Sequence, residues 1–162
     1  MESTIIREYK MEDKDGVEGR IFELQENEYR QYPDYWIPAS DSVKPYLAFL
    51  LKRLETEDGK LFVADVAGKI AGFVAVLVDE DKKDNPCYKI KRLAYITDLV
   101  VSKEYRKGGI GGQLIRAAEE YAMGIGIQYI ALDVQVKNPA VNFYQKHGYT
   151  ERSIWMNKKL HD

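Results

Sequence analysis

The sequence predicts a mixed α/β protein in which one central mixed sheet carries helices on both faces. Three observations predict it. Short β-rich runs alternate with longer stretches of helical periodicity. Two of the β-rich runs flank Ala67-Gly68-Lys69, which is hairpin chemistry. Four glycines, Gly108, Gly109, Gly111 and Gly112, crowd into five positions between a strand-like run and a helix-like one. The 162 residues suit a single domain over 1–162, large enough for a core without metals or disulfides.

The first β-rich run is residues 4–9, TIIREY. Residues 12–32 then read as a helix, with Val17, Ile21, Leu24 and Glu28 on one stripe. PDYWIPAS, residues 33–40, carries two prolines and reads as irregular. A second helix is expected over 42–56, with Pro45 tolerable only in its first turn. The hairpin of 60–79 follows, then a polar loop over 79–91 and a strand over 93–101. Beyond the glycines, a helix is expected over about 109–123, ended by Gly124 and Gly126. A strand over 128–136, a short helix starting at Asn138-Pro139 and ending at Gly148, and a last strand over 149–160 complete the chain.

Composition excludes several classes. A net charge of −2 argues against a broad basic surface for nucleic acid. Cys87 is the only cysteine, so no internal disulfide and no thiolate metal site is expected, and the reduced cytoplasm is the natural compartment. His147 and His161 read as solvated, and no metal is expected. The opening MESTIIREYKMEDKD carries no signal-peptide apolar run, and the apolar stretch Ile70–Val78 is too short to cross a bilayer.

The glycine cluster carries the chemistry. Glycine is a poor helix former, so its clustering at a helix start needs a reason. A glycine-rich turn there exposes several backbone N–H groups in one direction, lets a ligand approach closely, and adds the positive end of the helix dipole. Arg106 and Lys107 add full positive charge, so the guest is a phosphate or pyrophosphate. A P-loop fails because Gln113-Leu114 follows Gly112, and a dinucleotide fingerprint fails at Ile110 or Leu114. The pattern R/Q-x-x-G-x-G/A fits at Arg106, Gly109 and Gly111.

With DLVVSKEYR before this loop and NPAVNFYQKHGY about thirty residues after it, the chain resembles the GNAT superfamily of N-acetyltransferases. The resemblance implies a sheet with splayed central strands, and acetyl-CoA as co-substrate. It implies that the amides of Lys107, Gly108, Gly109, Ile110, Gly111 and Gly112, with Arg106, wrap the pyrophosphate. The pantetheine arm would lie between Leu99, Val100 and Val101 on one side and Asp133 and Val134 on the other, with the Leu99 N–H polarising the thioester carbonyl. Ala140, Phe143, Tyr144, Gly148 and Tyr149 match the family's late motif, whose usual asparagine is here Lys137, with Asn138 one residue later. Asn138, Ala140, Phe143 and Tyr144 are thereby implied at the cofactor, and the Tyr144 hydroxyl as donor to the departing thiolate.

The base is open between Asp98, another residue and water. Asp98 lies on the strand before the loop, and Thr97 stands where some relatives carry a glutamate. Glu28 and Tyr32 are candidates for holding the amine, within an aromatic group of Phe22, Tyr29, Tyr32, Tyr35 and Trp36. Six acidic residues from Asp13 to Glu28 suit a polyamine, a lysine-like amine or an aminoglycoside, and a protein amine is also open. The reading is direct acetyl transfer to a primary amine in a ternary complex, without nucleic acid or membrane. The alternatives are a non-catalytic acyl-CoA sensor or a transferase using a different acyl donor. Ile154, Trp155 and Met156 on the last strand predict a homodimer.

Overall fold

The computed structural model describes residues 3–81 and 84–161; Lys82 and Lys83 of the polar loop lie outside the described residues, as do the ends of the chain. The chain divides into two compact units, Met1–Leu132 and Asp133–Asp162.

The first unit is a five-stranded sheet of order β1-β2-β3-β4-β5, comprising β1 (Thr4–Glu8), β2 (Lys60–Val66), β3 (Lys69–Glu80), β4 (Arg92–Val101) and β5 (Ile130–Leu132). Neighbours from β1 to β4 are antiparallel, while β5 runs parallel to β4. Helices α1 (Lys14–Gln31), α2 (Ala39–Thr56) and α3 (Ile110–Gly124) cover it.

Packing follows from side-chain spacing. The α1 stripe buries Val17 and Ile21 with Leu24 packed beside them, and α2 buries Val43, Leu47, Leu50 and Leu54. Both helices join one core cluster with Leu61, Val63, Phe73, Ala75, Leu77 and Val100 of the sheet. The alternate residues of β2 face α3, where Phe62 meets Tyr121 edge-on at 6.2 Å. Covered on both faces, β3 is buried without a break from Ala71 to Val78. At Gly72 an added Cβ would strike the carbonyl oxygen of Val100, so β3 and β4 can approach closely only around a glycine. The hairpin turn is Ala67-Gly68, both at positive φ, as the twist of a two-residue loop requires.

Ala75 pairs with Asp98 but Val76 pairs with Ile96, so Thr97 is an extra residue, a β-bulge. The bulge reverses the alternation of β4. Tyr95, Asp98 and Val100 therefore share the α1/α2 face although three residues separate the first two.

Three expectations are corrected. The second helix starts at Ala39, because buried Ala39 anchors an extra turn, and this places Pro45 in the second turn rather than the first. The expected strand over 128–136 is paired only at Ile130–Leu132, since β5 stops opposite Ile96, just before the bulge. In the second unit, α4 (Ala140–Lys146) forms as expected, but residues 149–160 are not a strand: no ladder partner is present among the described residues, and a strand exists only through its partner.

Candidate active site

β4 leads into α3 through a 3-10 turn (Lys103–Tyr105) and the loop Arg106–Gly109. Tyr105 N–H donates to Ser102 O and Arg106 N–H to Lys103 O. The next backbone donor in this run is Gln113, onto Gly109 O at 3.2 Å; the N–H groups of Lys107 through Gly112 meet no backbone carbonyl among the described residues. Lys107 and Gly109 sit at φ of 66° and 81°. That conformation costs a lysine about 1 kcal/mol and glycine almost nothing. Nothing lies within 4 Å of a Cβ built on Gly109, so glycine is demanded there by φ and leaves open space above the backbone. Donors turned outward from left-handed residues at a helix start form a concavity suited to phosphate oxygens, and the dipole of α3 adds to it. Arg106 Nε donates to Val101 O at 2.9 Å.

The edge of β4 facing β5 is paired only from Ala94 to Ile96. Ser102 N–H bonds to Ala71 O on the β3 side. Backbone groups alternate sides along a strand, so those of Val101 and Leu99 point to the open edge. That edge offers hydrogen bonds to an extended ligand lying like an added strand.

Asp98 is 5% exposed. Tyr46 of α2 donates its hydroxyl to Asp98 Oδ2 at 2.7 Å. Burial pushes the Asp98 carboxyl above the usual range, against the opposing effects of the Tyr46 and Thr97 hydrogen bonds and of Arg53. Burial also pushes the Tyr46 phenol up, with the Asp98 charge adding to it. Tyr46 was not among the residues singled out from sequence. Its signal is its place on the buried stripe of α2 with Val43 and Leu50, where a phenol needs a partner.

On α1, Glu28 is half-buried and its carbonyl accepts the Tyr32 N–H that closes the helix. Tyr32, Tyr35 and Trp36 are exposed in the α1–α2 connection, with Tyr35 and Trp36 in edge contact at 5.4 Å. The acidic run is largely paired within the fold: Asp13 with Arg7, Glu18 with Lys14, Glu23 with Arg20 and Glu26 with Arg30.

In the second unit, Asn138 Oδ1 accepts the Ala140 N–H at 2.9 Å, so its side chain starts α4. Tyr144 is half-buried between ring contacts to Phe143 at 5.3 Å and Tyr149 at 5.8 Å. Asp133 and Lys137 are exposed, and Val134 is half-buried. Among the described residues, no group of three His, Cys, Asp or Glu could hold a metal ion, and no helix is long and apolar enough to cross a membrane.

Comparison with known proteins decides the family. The profile of the acetyltransferase (GNAT) family matches residues 20–149, which include the glycine loop, the bulged strand and α4. The chain belongs to the GNAT acetyltransferase family. An uncharacterised N-acetyltransferase of Methanocaldococcus jannaschii is 34% identical over 135 residues, covering 83% of this chain and 57% of that protein, so the chain spans little more than half of that relative. An uncharacterised N-acetyltransferase of Bacillus subtilis is 30% identical over 124 residues, covering 76% of this chain and 79% of its own. A crystal structure of a mutant BH1408 protein of Bacillus halodurans superposes with a TM-score of 0.84 at 23% identity, covering 97% of this chain and 99% of that one, a likeness of fold. Within this GNAT chain, Arg106, Gly109 and Gly111 stand at the loop whose amides meet no backbone carbonyl among the described residues.

Proposed function

We propose that this GNAT chain transfers an acetyl group from acetyl-CoA directly to a primary amine of a small molecule or a protein. The observation that carries the reading is the run of six N–H groups from Lys107 to Gly112 that meet no backbone carbonyl among the described residues, following a strand paired with β5 only from Ala94 to Ile96. When bound, acetyl-CoA supplies the acetyl group as a thioester. The loop amides and Arg106 hold pyrophosphate oxygens. Leu99 and Val101, with Val100 between them, offer the strand edge to the pantetheine, and the Leu99 N–H polarises the carbonyl. Asp133, Asn138, Ala140 and Phe143 complete the cofactor side, and the Tyr144 hydroxyl gives a proton to the departing sulfur. Asp98 receives the proton that leaves the acceptor ammonium. Glu28 and Tyr32 hold the amine. The whole chain acts as one N-acetyltransferase domain, a homodimer in the cytoplasm.

The test is a panel of primary amines (a polyamine, an amino acid, an amino sugar and a peptide N-terminus) incubated with acetyl-CoA, following free thiol. Amine-dependent thiol release with formation of the N-acetyl product supports the reading. Tight acetyl-CoA binding without turnover on any class replaces it with a sensor.

A further inference from the structure

Asp98 faces the α1/α2 layer next to the bulge at Thr97 of β4, and there it is almost closed off from solvent. A carboxylate in that position is kept ionised only by what donates to it. From α2, Tyr46 gives its hydroxyl at 2.7 Å and Arg53 contributes charge at longer range. On β4 itself, the Thr97 hydroxyl lies within reach of Asp98 and of the Ala75 carbonyl oxygen, 3.5 Å away, and the Tyr95 phenol lies near Tyr46. From β3 the partner is Ala75. From α1 the packed side chains are Val17, Ile21 and Leu24, with Glu23 meeting Ser102 beyond the strand's end. The Tyr46 hydrogen bond is the one donation that α2 makes to Asp98, and it comes from a side chain itself half-buried.

We propose that Tyr46 is a positioning residue for acetyl transfer: its hydroxyl holds the Asp98 carboxylate in one orientation and keeps it charged until the acceptor amine arrives. This rests on the reading of Asp98 as the group that takes the amine's proton. In that step the acceptor ammonium gives one proton to Asp98. The neutral nitrogen then forms the C–N bond as the C–S bond breaks, the Tyr144 hydroxyl protonates the departing sulfur, and the second proton the nitrogen must shed restores the Tyr144 hydroxyl. Tyr46 touches neither reactant and transfers no proton.

The test starts with the protein alone. Aspartate carboxyl carbons labelled with carbon-13 are followed by NMR against pH, and the Asp98 signal is identified by its loss in Asp98→Asn. Tyr46→Phe keeps the ring and removes the hydroxyl. The Asp98 midpoint is expected to rise by roughly one pH unit in Tyr46→Phe, with the remaining aspartates unmoved. On an amine that turns over, the acidic limb of kcat/KM should rise by the same amount, with activity recovering at high pH. A loss of activity equal at every pH, with the Asp98 midpoint unmoved, makes Tyr46 a packing residue and overturns the proposal. If Asp98→Asn leaves the acidic limb in place, Asp98 is not the base, and that separate reading fails whatever Tyr46→Phe does to the midpoint. If Tyr46→Phe fails to fold, Tyr46→Trp, which keeps an aromatic body without the phenol, is read the same way.

Discussion

The Arg106 side chain reaches back to the strand that precedes it, its Nε 2.9 Å from the carbonyl oxygen of Val101. The bond ties the loop back to β4 at its base, beside the N–H groups from Lys107 to Gly112 that meet no backbone carbonyl among the described residues. A loop shaped beforehand binds with less ordering cost.

Gly109→Ala is expected to weaken acetyl-CoA binding at least tenfold by calorimetry, because a methyl group would stand where phosphate oxygens approach. The positive φ alone should lower stability by about 1 kcal/mol. Gly68→Ala is the control: Gly68 has a φ of 82° and equally open surroundings, so it should show the same stability loss and unchanged binding. Equal binding by both variants removes the loop from the cofactor site.

Tyr144→Phe should lower kcat and kcat/KM together by about 100-fold, the lower end for a general acid, because a thiolate leaves fairly well unaided. The ring contacts to Phe143 and Tyr149 remain, so thermal stability and acetyl-CoA affinity should stay near wild type. Wild-type turnover across the pH range would leave Tyr144 a packing residue.

Asp98→Asn should be more heat-stable than wild type at pH 7 while transferring acetyl more slowly. Burial raises the Asp98 carboxyl in the folded state. The folded protein thus holds that proton more tightly than the unfolded chain, and wild-type stability falls as pH rises from about 4 through the raised value. Asparagine keeps an acceptor for the Tyr46 hydroxyl and has no charge to bury. Melting curves at pH 4 and pH 7 check the sign: the variant's advantage should be present at pH 7 and vanish at pH 4.

Asp13→Asn should act in the opposite direction. Asp13, 5% exposed, takes a two-pronged bond from Arg7 at 2.7 and 2.8 Å, and this bond above all holds its carboxyl below the usual range. Its contribution is complete above about pH 4 and is lost as pH falls through the depressed value. The substitution should cost about 2 kcal/mol at neutral pH, with the gap to wild type closing in acid. A constant gap from pH 7 to pH 2 would refute the charge argument.

Light scattering at micromolar concentration checks assembly. Ile154, Trp155 and Met156 are exposed, and a dimer that covers them should come apart in Trp155→Lys. A monomeric mass for wild type rules the dimer out.

Most of the first unit is legible from periodicity. Val17 and Ile21 mark the buried face of α1, Ala67-Gly68 marks the hairpin, and the glycines mark the start of α3, because each is a local pattern with a local cause. What failed was non-local. The length of β5 depends on where β4 bulges, and the C-terminal run, strand-like in composition, pairs with no strand among the described residues. Tyr46 and Asp98 are 52 residues apart, and no spacing rule joins a helix tyrosine to a strand carboxylate. The acidic run around α1 looked like a field for a cation, but Arg7, Lys14, Arg20 and Arg30 largely answer it.

The bulge at Thr97 makes β4 two half-strands of opposite phase. Removing that one codon would restore a continuous alternation and leave Asp98 opposite Ala75 on the α1/α2 layer, because Thr97 is the one residue without a partner in the ladder. In genetic terms, the extra residue is absorbed locally, and both halves of the strand keep their side chains toward the same layers. A three-base deletion at this codon is therefore the mutational step that flattens the strand while keeping the carboxylate on its face.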